Sequence, residues 1–144
     1  MLDYIDKKLI NLLQEDSKQT TKKLSLQLNL SVTAVYERVK KLEHQKVIEK
    51  YVAIINKNKI EKSFLVFCHI KLIQHSKEHV TTFEREVLKL EEVSECFHVS
   101  GDYDYILKVY VKDMDAYRDF VVTKLTAIKY IGSTHSTFVI EQVK

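Results

Sequence analysis

The sequence predicts an α+β protein with a helical N-terminal part and a mixed C-terminal part. Apolar residues recur at helical spacing near the N-terminus, whereas the second half alternates β-rich runs with amphipathic helices. The charge also divides: residues 1–60 hold 12 Lys+Arg against 7 Asp+Glu, and residues 61–144 hold 11 against 13. A basic first part and an acidic second part indicate two functions, although chance scatter of surface charge would look similar.

The overall composition excludes several protein classes. The 144 residues are 45% hydrophobic and 30% charged, which suits one or two small domains with a real core. No apolar run approaches about 18 residues, and the acidic N-terminus is unlike a signal peptide. Only Cys68 and Cys96 are present, too few for a disulfide scaffold or a zinc site. We expect a cytoplasmic protein with no membrane partner, no metal and no cofactor.

Three helices account for the first part. The first has Asp3 as its N-cap and one apolar face, and the second begins at Thr20 or Thr21. Asn29 tolerates the left-handed conformation that ends a helix, and Ser31 is a good N-cap for the third helix. The inward residues of the three helices are Ile5, Leu9, Leu12 and Leu13, then Leu24 and Leu28, then Val32, Val35, Val39 and Leu42.

Two short helices joined by a tight turn, with a packing helix before them, form a helix-turn-helix pattern. A recognition helix needs short side chains for base edges and cations for phosphates. An ordinary solvated helix face is the alternative interpretation, and the charge asymmetry favours DNA. The predicted DNA-binding residues are Lys22, Lys23, Ser31, Val32, Thr33, Ala34, Tyr36, Glu37, Arg38, Lys40 and Lys41.

The segment 47–55 reads as a strand, and the polar turn 56–59 follows it. Together with the three helices, this strand predicts a winged-type helix-turn-helix. The predicted division is a DNA-binding domain at 1–50, a strand and linker at 51–61, and a second domain at 62–144.

The second domain has the element order β-α-β-β-α-β, the ferredoxin-like arrangement. Its strands are predicted at 64–73, 93–99, 105–111 and 131–142, and its helices follow the N-caps Ser76 and Asp113. The inward helical residues are Val80, Phe83, Val87 and Leu90, then Met114, Tyr117, Phe120, Val121 and Leu125. Because two helices cover only one face of such a sheet, an apolar second face predicts packing on another copy of the chain.

Four stretches of the chain carry a family resemblance. They are 2–10 (LDYIDKKLI), 30–43 (LSVTAVYERVKKLE), 47–48 (VI) and 101–105 (GDYDY). In this order and spacing, and combined with the βαββαβ half, they resemble the Lrp/AsnC family of leucine-responsive and asparagine-responsive transcription regulators. Two positions depart from the family pattern: Lys46 stands where Gly is usual, and Lys18 replaces an Arg. A left-handed Lys46 would be strained by about 1 kcal/mol, so we expect a differently built helix end.

The resemblance implies a sequence-specific regulator that binds double-stranded DNA. It implies a C-terminal RAM-type domain for dimerisation and amino-acid sensing, with dimers that assemble into tetramers or octamers. It places the small-molecule effector, an amino acid, at the turn 101–104 near a contact between dimers.

The residues of that turn offer modest chemical support for an effector site. Gly101 permits close backbone approach, exposed amides can bind a carboxylate, and Asp102 or Asp104 can pair with an α-ammonium group. Simple turn chemistry is the alternative. The predicted effector residues are Gly101, Asp102, Tyr103 and Asp104, with Ser133, Thr134, His135 and Ser136 as possible further lining.

The chain has no HExxH, Walker or GxGxxG motif, so we predict no catalytic residues. His69 and His98, on apolar strands, are typical of structural histidines. Two alternatives remain: a sensing or interaction module without DNA binding, and an enzyme like the sirohaem decarboxylases, which share the two-domain architecture. The exposed cations of the third helix argue against both.

Overall fold

The computed structural model describes all 144 residues, which form two compact units, Met1–Ile54 and Ile55–Lys144. The first unit consists of three helices: α1 (Tyr4–Glu15), α2 (Thr21–Leu28) and α3 (Val32–His44). Their apolar faces meet in one core, as the helical spacing predicts. The buried members of this core are Leu9, Leu24, Leu28, Val35 and Leu42.

The predicted helix caps are confirmed. Asp3 accepts a hydrogen bond from the Asp6 backbone N–H, and the Asp6 carboxylate accepts one from the Asp3 N–H, which makes a reciprocal capping box. Thr20 and Ser31 cap α2 and α3 by accepting the backbone N–H groups of Lys23 and Ala34, without a reciprocal bond. Asn29 adopts the left-handed conformation (φ 54°) between these two helices and fixes the turn.

The expectation that the end of α3 is built differently was wrong. Lys46 adopts the left-handed conformation (φ 58°) that the family's usual Gly would take. The Val47 N–H donates to the Leu42 carbonyl at 2.9 Å, and the Lys46 N–H donates to Glu43 at 3.0 Å. These two bonds are those of a Schellman motif, and they hold the lysine in a conformation it does not favour.

The strand predicted over 47–55 was also wrong. This segment has no regular secondary structure and pairs with no other strand, and the first unit contains no sheet. A strand needs a neighbour for its backbone hydrogen bonds, and the helical unit supplies none. The wing of the predicted winged-type fold is therefore absent, and Val52 and Ile54 lie exposed on the segment.

The second unit has the predicted βαββαβ order. Its elements are β1 (Phe64–Leu72), α4 (Lys77–Val87), β2 (Val93–His98), β3 (Tyr105–Val111), α5 (Met114–Phe120) and β4 (Ile131–Phe138). A 3₁₀ turn (Lys57–Lys59) precedes β1, and a π-helical turn (Val121–Leu125) extends α5. The sheet is antiparallel in the order β2-β3-β1-β4. None of the five helices combines the length and apolar character needed to cross a bilayer.

The two faces of the sheet differ. One face is covered by the two helices, and here the side chains of Ile70 and Leu107 pack against Phe83 and Phe120. The other face, which we call the open face, carries Phe67, His69 and Ile106, half-buried within one chain. Two predicted core residues were wrong: Met114 is 48% exposed and Val32 is 47% exposed, because each occupies the first position of its helix, α5 and α3 respectively.

Candidate DNA-binding surface and ligand site

The outward face of α3 is the candidate DNA-binding surface. Thr33 and Glu37 are exposed, and Val32 and Tyr36 are 47% and 50% exposed, while Val35 beneath them is fully buried. Ala34 is partly buried at the border. The Ser31 hydroxyl oxygen already accepts the Ala34 backbone N–H at 3.1 Å, so its main role within the chain is to begin the helix.

The predicted phosphate-binding lysines fall into two groups. Lys22 and Lys23 at the start of α2 are exposed and take part in no ion pair within the chain. Lys40 is instead paired with Glu43 at 3.1 Å, which raises the pKa of the lysine, and its Nζ lies 5.8 Å from the Tyr36 ring centroid. Lys41 lies 3.6 Å from the buried Asp6 carboxylate. Only the first group is free to bind phosphate without giving up a partner.

Arg38 has contacts that the sequence analysis did not foresee. Its Nη1 lies 2.6 Å from Asp3 Oδ2 and 2.6 Å from Asp6 Oδ1, and the pairs raise its pKa. Burial raises the pKa of Asp6, but the hydrogen bonds from Arg38 and the Asp3 backbone outweigh it and the net shift is downward. Because Asp3 and Asp6 belong to the capping box of α1, Arg38 joins the recognition helix to the start of α1.

The turn 101–104 is accessible at Gly101 and is held by hydrogen bonds at Asp104. Gly101 has φ 130°, a conformation that favours glycine, and no heavy atom lies within 4 Å of where its Cβ would be. The Asp104 N–H donates to the Ile70 carbonyl at 2.8 Å, and its carbonyl accepts from Val99. The backbone at Gly101 is therefore reachable from outside, while Asp104 fastens the turn to β1.

The two acidic residues of the turn have different surroundings. The Asp104 carboxylate accepts the Leu72 backbone N–H at 2.7 Å and lies 3.0 Å from His75 Nδ1. The Leu72 bond is the largest influence on the pKa of Asp104, which lies below its ordinary value despite partial burial. Asp102 is exposed and has no partner in the chain. Of the two, Asp102 is the carboxylate available to a ligand.

The remaining candidate ligand residues do not share one face. Ser133 and His135 lie on the open face, opposite Lys71 and His69 of β1. Thr134 and Ser136 lie on the helix-covered face, where the Ser136 hydroxyl pairs with Tyr117. Tyr103 joins the open-face group, with its ring centroid 6.1 Å from that of His135. Within one chain, this part of β4 cannot line a single pocket along its whole length.

No pattern in the sequence pointed to the contact between His75 and Asp104. His75 lies 29 positions from Asp104 and precedes the N-cap of α4, so no periodicity links the two. For Arg38 a signal existed: Asp3 and Asp6 are acidic residues at the start of α1, where a cation from another helix can approach. The pairing itself depends on how α3 crosses α1, which spacing alone does not determine.

Two family profiles match the chain. The AsnC-type helix-turn-helix domain matches residues 2–43, and the Lrp/AsnC ligand binding domain matches residues 65–144. The first match covers the three helices up to Glu43, and the second covers almost the whole βαββαβ unit. The leucine-responsive regulatory proteins of Escherichia coli K12 and Salmonella typhimurium are each 40% identical to the chain over 143 residues, covering 99% of it and 87% of the relative.

Solved structures agree with these matches. An AsnC family transcriptional regulator from Agrobacterium tumefaciens has a TM-score of 0.94 at 35% identity, covering 99% of this chain and 93% of its own. A transcriptional regulator from Neisseria meningitidis in complex with L-Met has a TM-score of 0.96 at 28% identity, covering 100% and 93%. The likeness therefore includes the fold and the order of both units.

Proposed function

Since the chain belongs to the Lrp/AsnC family, it is a DNA-binding transcription regulator, and we propose that its α3 reads DNA while an amino acid binds its C-terminal unit. The observation that carries the DNA proposal is the division of α3, with Val35 and Leu42 buried and a row of short or aromatic side chains exposed. The exposed row supports base contacts by Val32, Thr33, Ala34, Tyr36 and Glu37.

We assign the phosphate contacts first to Lys22 and Lys23. A lysine without a partner can bind a phosphate directly. Lys40 would first have to give up its ion pair with the Glu43 carboxylate. Arg38 is assigned a positioning role, because its guanidinium is held by Asp3 and Asp6. Ser31 begins the recognition helix, and Lys41, whose Nζ lies 3.6 Å from the Asp6 carboxylate, belongs with Lys40 among the partnered lysines.

Salt titration of DNA binding tests this assignment. The full-length protein is bound to a labelled fragment from upstream of its own gene at several salt concentrations. We expect Lys22→Ala with Lys23→Ala to flatten the slope of log K against log salt by about 1.8, and Lys40→Ala with Lys41→Ala to flatten it less. Lys77→Ala with Lys129→Ala removes the same charge from the C-terminal unit and is the control. An unchanged slope in the Lys22 and Lys23 variant would remove these residues from the interface.

For the effector, we propose that the α-carboxylate of an amino acid meets the exposed backbone near Gly101 and that its α-ammonium group pairs with Asp102. The open space at Gly101 and the unpartnered Asp102 support this arrangement. Asp104 holds the turn in place, and Tyr103 with His135 borders it on the open face. The amino-acid class follows from the family and from the L-Met complex of the Neisseria relative.

Calorimetry with L-methionine and L-leucine tests the effector site. We expect Asp102→Asn to weaken binding at least tenfold without changing thermal stability, because its carboxylate makes no contact in the fold. Asp115→Asn, at an exposed position of α5, removes the same charge and should bind like the wild type. If Asp102→Asn binds as tightly as Asp115→Asn, the ammonium site lies elsewhere.

We further propose that the chain works as a homodimer that can assemble to tetramers or octamers. The half-buried apolar residues of the open face support a second sheet packed upon it, since both helices lie on the other side. A two-fold dimer presents two α3 helices to successive major grooves of a pseudo-palindromic site. An effector acts on such an assembly only through different affinities for its alternative states. We propose no catalytic activity.

A further inference from the structure

Two histidines meet at the end of the sheet beside the turn 101–104. His75 follows β1 and His98 ends β2, and their ring centroids lie 5.4 Å apart with 32° between the ring planes. The side chains are 57% and 43% exposed, so solvent reaches both rings. Neither residue belongs to the DNA surface or to the effector contacts proposed above.

Each of these rings has a carboxylate near its Nδ1 atom, within hydrogen-bond distance for His75 and beyond it for His98. His75 Nδ1 lies 3.0 Å from Asp104 Oδ1, and His98 Nδ1 lies 3.8 Å from Glu84 Oε1. A carboxylate only accepts hydrogen bonds, so in the neutral ring the proton stays on Nδ1 and the lone pair is left on Nε2. The Asp104 hydrogen bond therefore selects this tautomer for His75, and the nearby charge of Glu84, beyond hydrogen-bond distance, favours the same tautomer for His98.

The two carboxylates are themselves fixed. Asp104 also accepts the Leu72 backbone N–H, and Glu84 Oε1 accepts the Tyr105 hydroxyl at 2.8 Å. The His98 ring is stacked on the Tyr105 ring, with centroids 4.5 Å apart. The His75 ring is therefore held by its bond to Asp104, and the His98 ring is held by its stacking on Tyr105 of β3.

A histidine whose Nδ1–H faces a carboxylate while its Nε2 is free is the usual environment of a metal-binding histidine. Imidazole nitrogens bind zinc at about 2.0–2.1 Å, and two of them on one ion have ring centroids about 5 Å apart. The observed 5.4 Å is close to this separation.

We propose that His75 and His98 bind one divalent transition-metal ion of the imidazole-preferring class, such as Zn²⁺, through their Nε2 atoms. Asp104 and Glu84 act as positioning residues on the opposite nitrogens. No group of three or more His, Cys, Asp or Glu side chains in the chain is placed to hold a metal, so water completes the coordination. The ion would join the segment after β1 to the end of β2, on the two sides of Asp104.

The chain contains a matched control pair. His69 and His135 lie opposite each other on β1 and β4, with ring centroids 5.9 Å apart. The rings of this second pair have no carboxylate partner, and His69 Nε2 lies 3.4 Å from the Thr137 hydroxyl. The two pairs therefore differ in the feature on which the proposal depends.

Isothermal titration of the full-length protein with Zn²⁺ tests the site. We expect one ion per chain, and a loss of at least tenfold in affinity for His75→Gln, for His98→Gln and for the double variant. Glu84→Gln should weaken binding about tenfold while leaving both ligands in place, because it removes only the orienting charge. The variant with His69→Gln and His135→Gln should bind like the wild type, and thermal melts without metal should show that all variants are folded.

Long-range ¹H–¹⁵N spectra of the histidine rings give a second readout. We expect the Nδ1–H tautomer for His75 and His98 without metal, and a Zn²⁺-induced shift at their Nε2 atoms. No binding at tens of micromolar Zn²⁺ would overturn the proposal. Binding that survives loss of both His75 and His98, or that disappears with His69 and His135, would overturn it equally. All these results are independent of DNA and amino-acid binding.

Discussion

Lys46 adopts a strained backbone conformation at the end of α3. Its left-handed backbone completes the Schellman motif at the end of α3, and the two bonds to Leu42 and Glu43 hold it there. A residue with a Cβ is disfavoured in this conformation by about 1–2 kcal/mol. The chain forms this helix end although lysine is not the residue that the geometry prefers.

Replacing this lysine by glycine should therefore stabilise the first unit. Lys46→Gly relieves the strain but adds freedom to the unfolded chain, so we expect a net gain of about 0.5–1 kcal/mol in the free energy of unfolding. Chemical denaturation followed by circular dichroism measures it. Gln45→Gly is the control, because Gln45 has φ −76° and should lose stability. A destabilised Lys46→Gly would show that the lysine side chain makes a compensating contact.

At the scale of elements, Arg38 links the recognition helix to α1. The pKa values of Asp3 and Asp6 both lie below the ordinary 3.8. Their stabilising contribution is thus complete above the unfolded pKa and is lost as the pH falls through the lowered folded values. The contact ties the DNA-reading helix to two residues far from it in sequence, in addition to the shared apolar core.

Arg38→Gln separates positioning from phosphate binding. We expect a loss of about 2 kcal/mol in unfolding free energy at pH 7, because the fully buried Asp6 loses a charged hydrogen bond, and a smaller loss below about pH 4. DNA affinity should fall while the slope against salt stays the same. A slope that flattens by about 0.9 would instead place Arg38 on a phosphate.

The elements also show what the sequence could predict. Local signals identified every helix start, because Asp3, Thr20, Ser31, Ser76 and Asp113 each cap the helix that follows. The prediction of a strand over 47–55 failed, because a run of β-branched residues indicates a preference for strand structure but does not show whether a neighbouring strand is present. The Arg38 pairs and the His75–Asp104 contact were missed for a related reason: both join residues that only the packing of distant elements brings together.

At the scale of the whole molecule, the open face of the sheet is where we place the second copy. Phe67 and Ile106 are half-buried there within one chain, and a facing sheet would bury the rest of them. A charged side chain on this face would lose its hydration when the two copies associate. This desolvation disfavours association by several kcal/mol.

Ile106→Glu should therefore dissociate the dimer. We expect its dissociation constant to rise at least 100-fold, as measured by analytical ultracentrifugation over a range of concentrations. Ile140→Glu adds the same charge at a fully exposed position near the end of the chain and should leave the dimer intact. A dimeric Ile106→Glu protein would move the interface to another surface.

The order of strands in the sheet also bears on how fast each unit acquires its structure. The three helices of the first unit pack together from segments that are near in sequence. In the second unit, β1 lies between β3 and β4, and its pairing with β4, which brings His69 opposite His135, joins the most distant strands of the sheet in sequence. Folding is slow when a long loop must lose conformational entropy before the contacts between its ends can stabilise the chain. In a stopped-flow refolding experiment, the helical signal of the N-terminal unit should appear first, and the sheet should form only when the distant β4 finds β1.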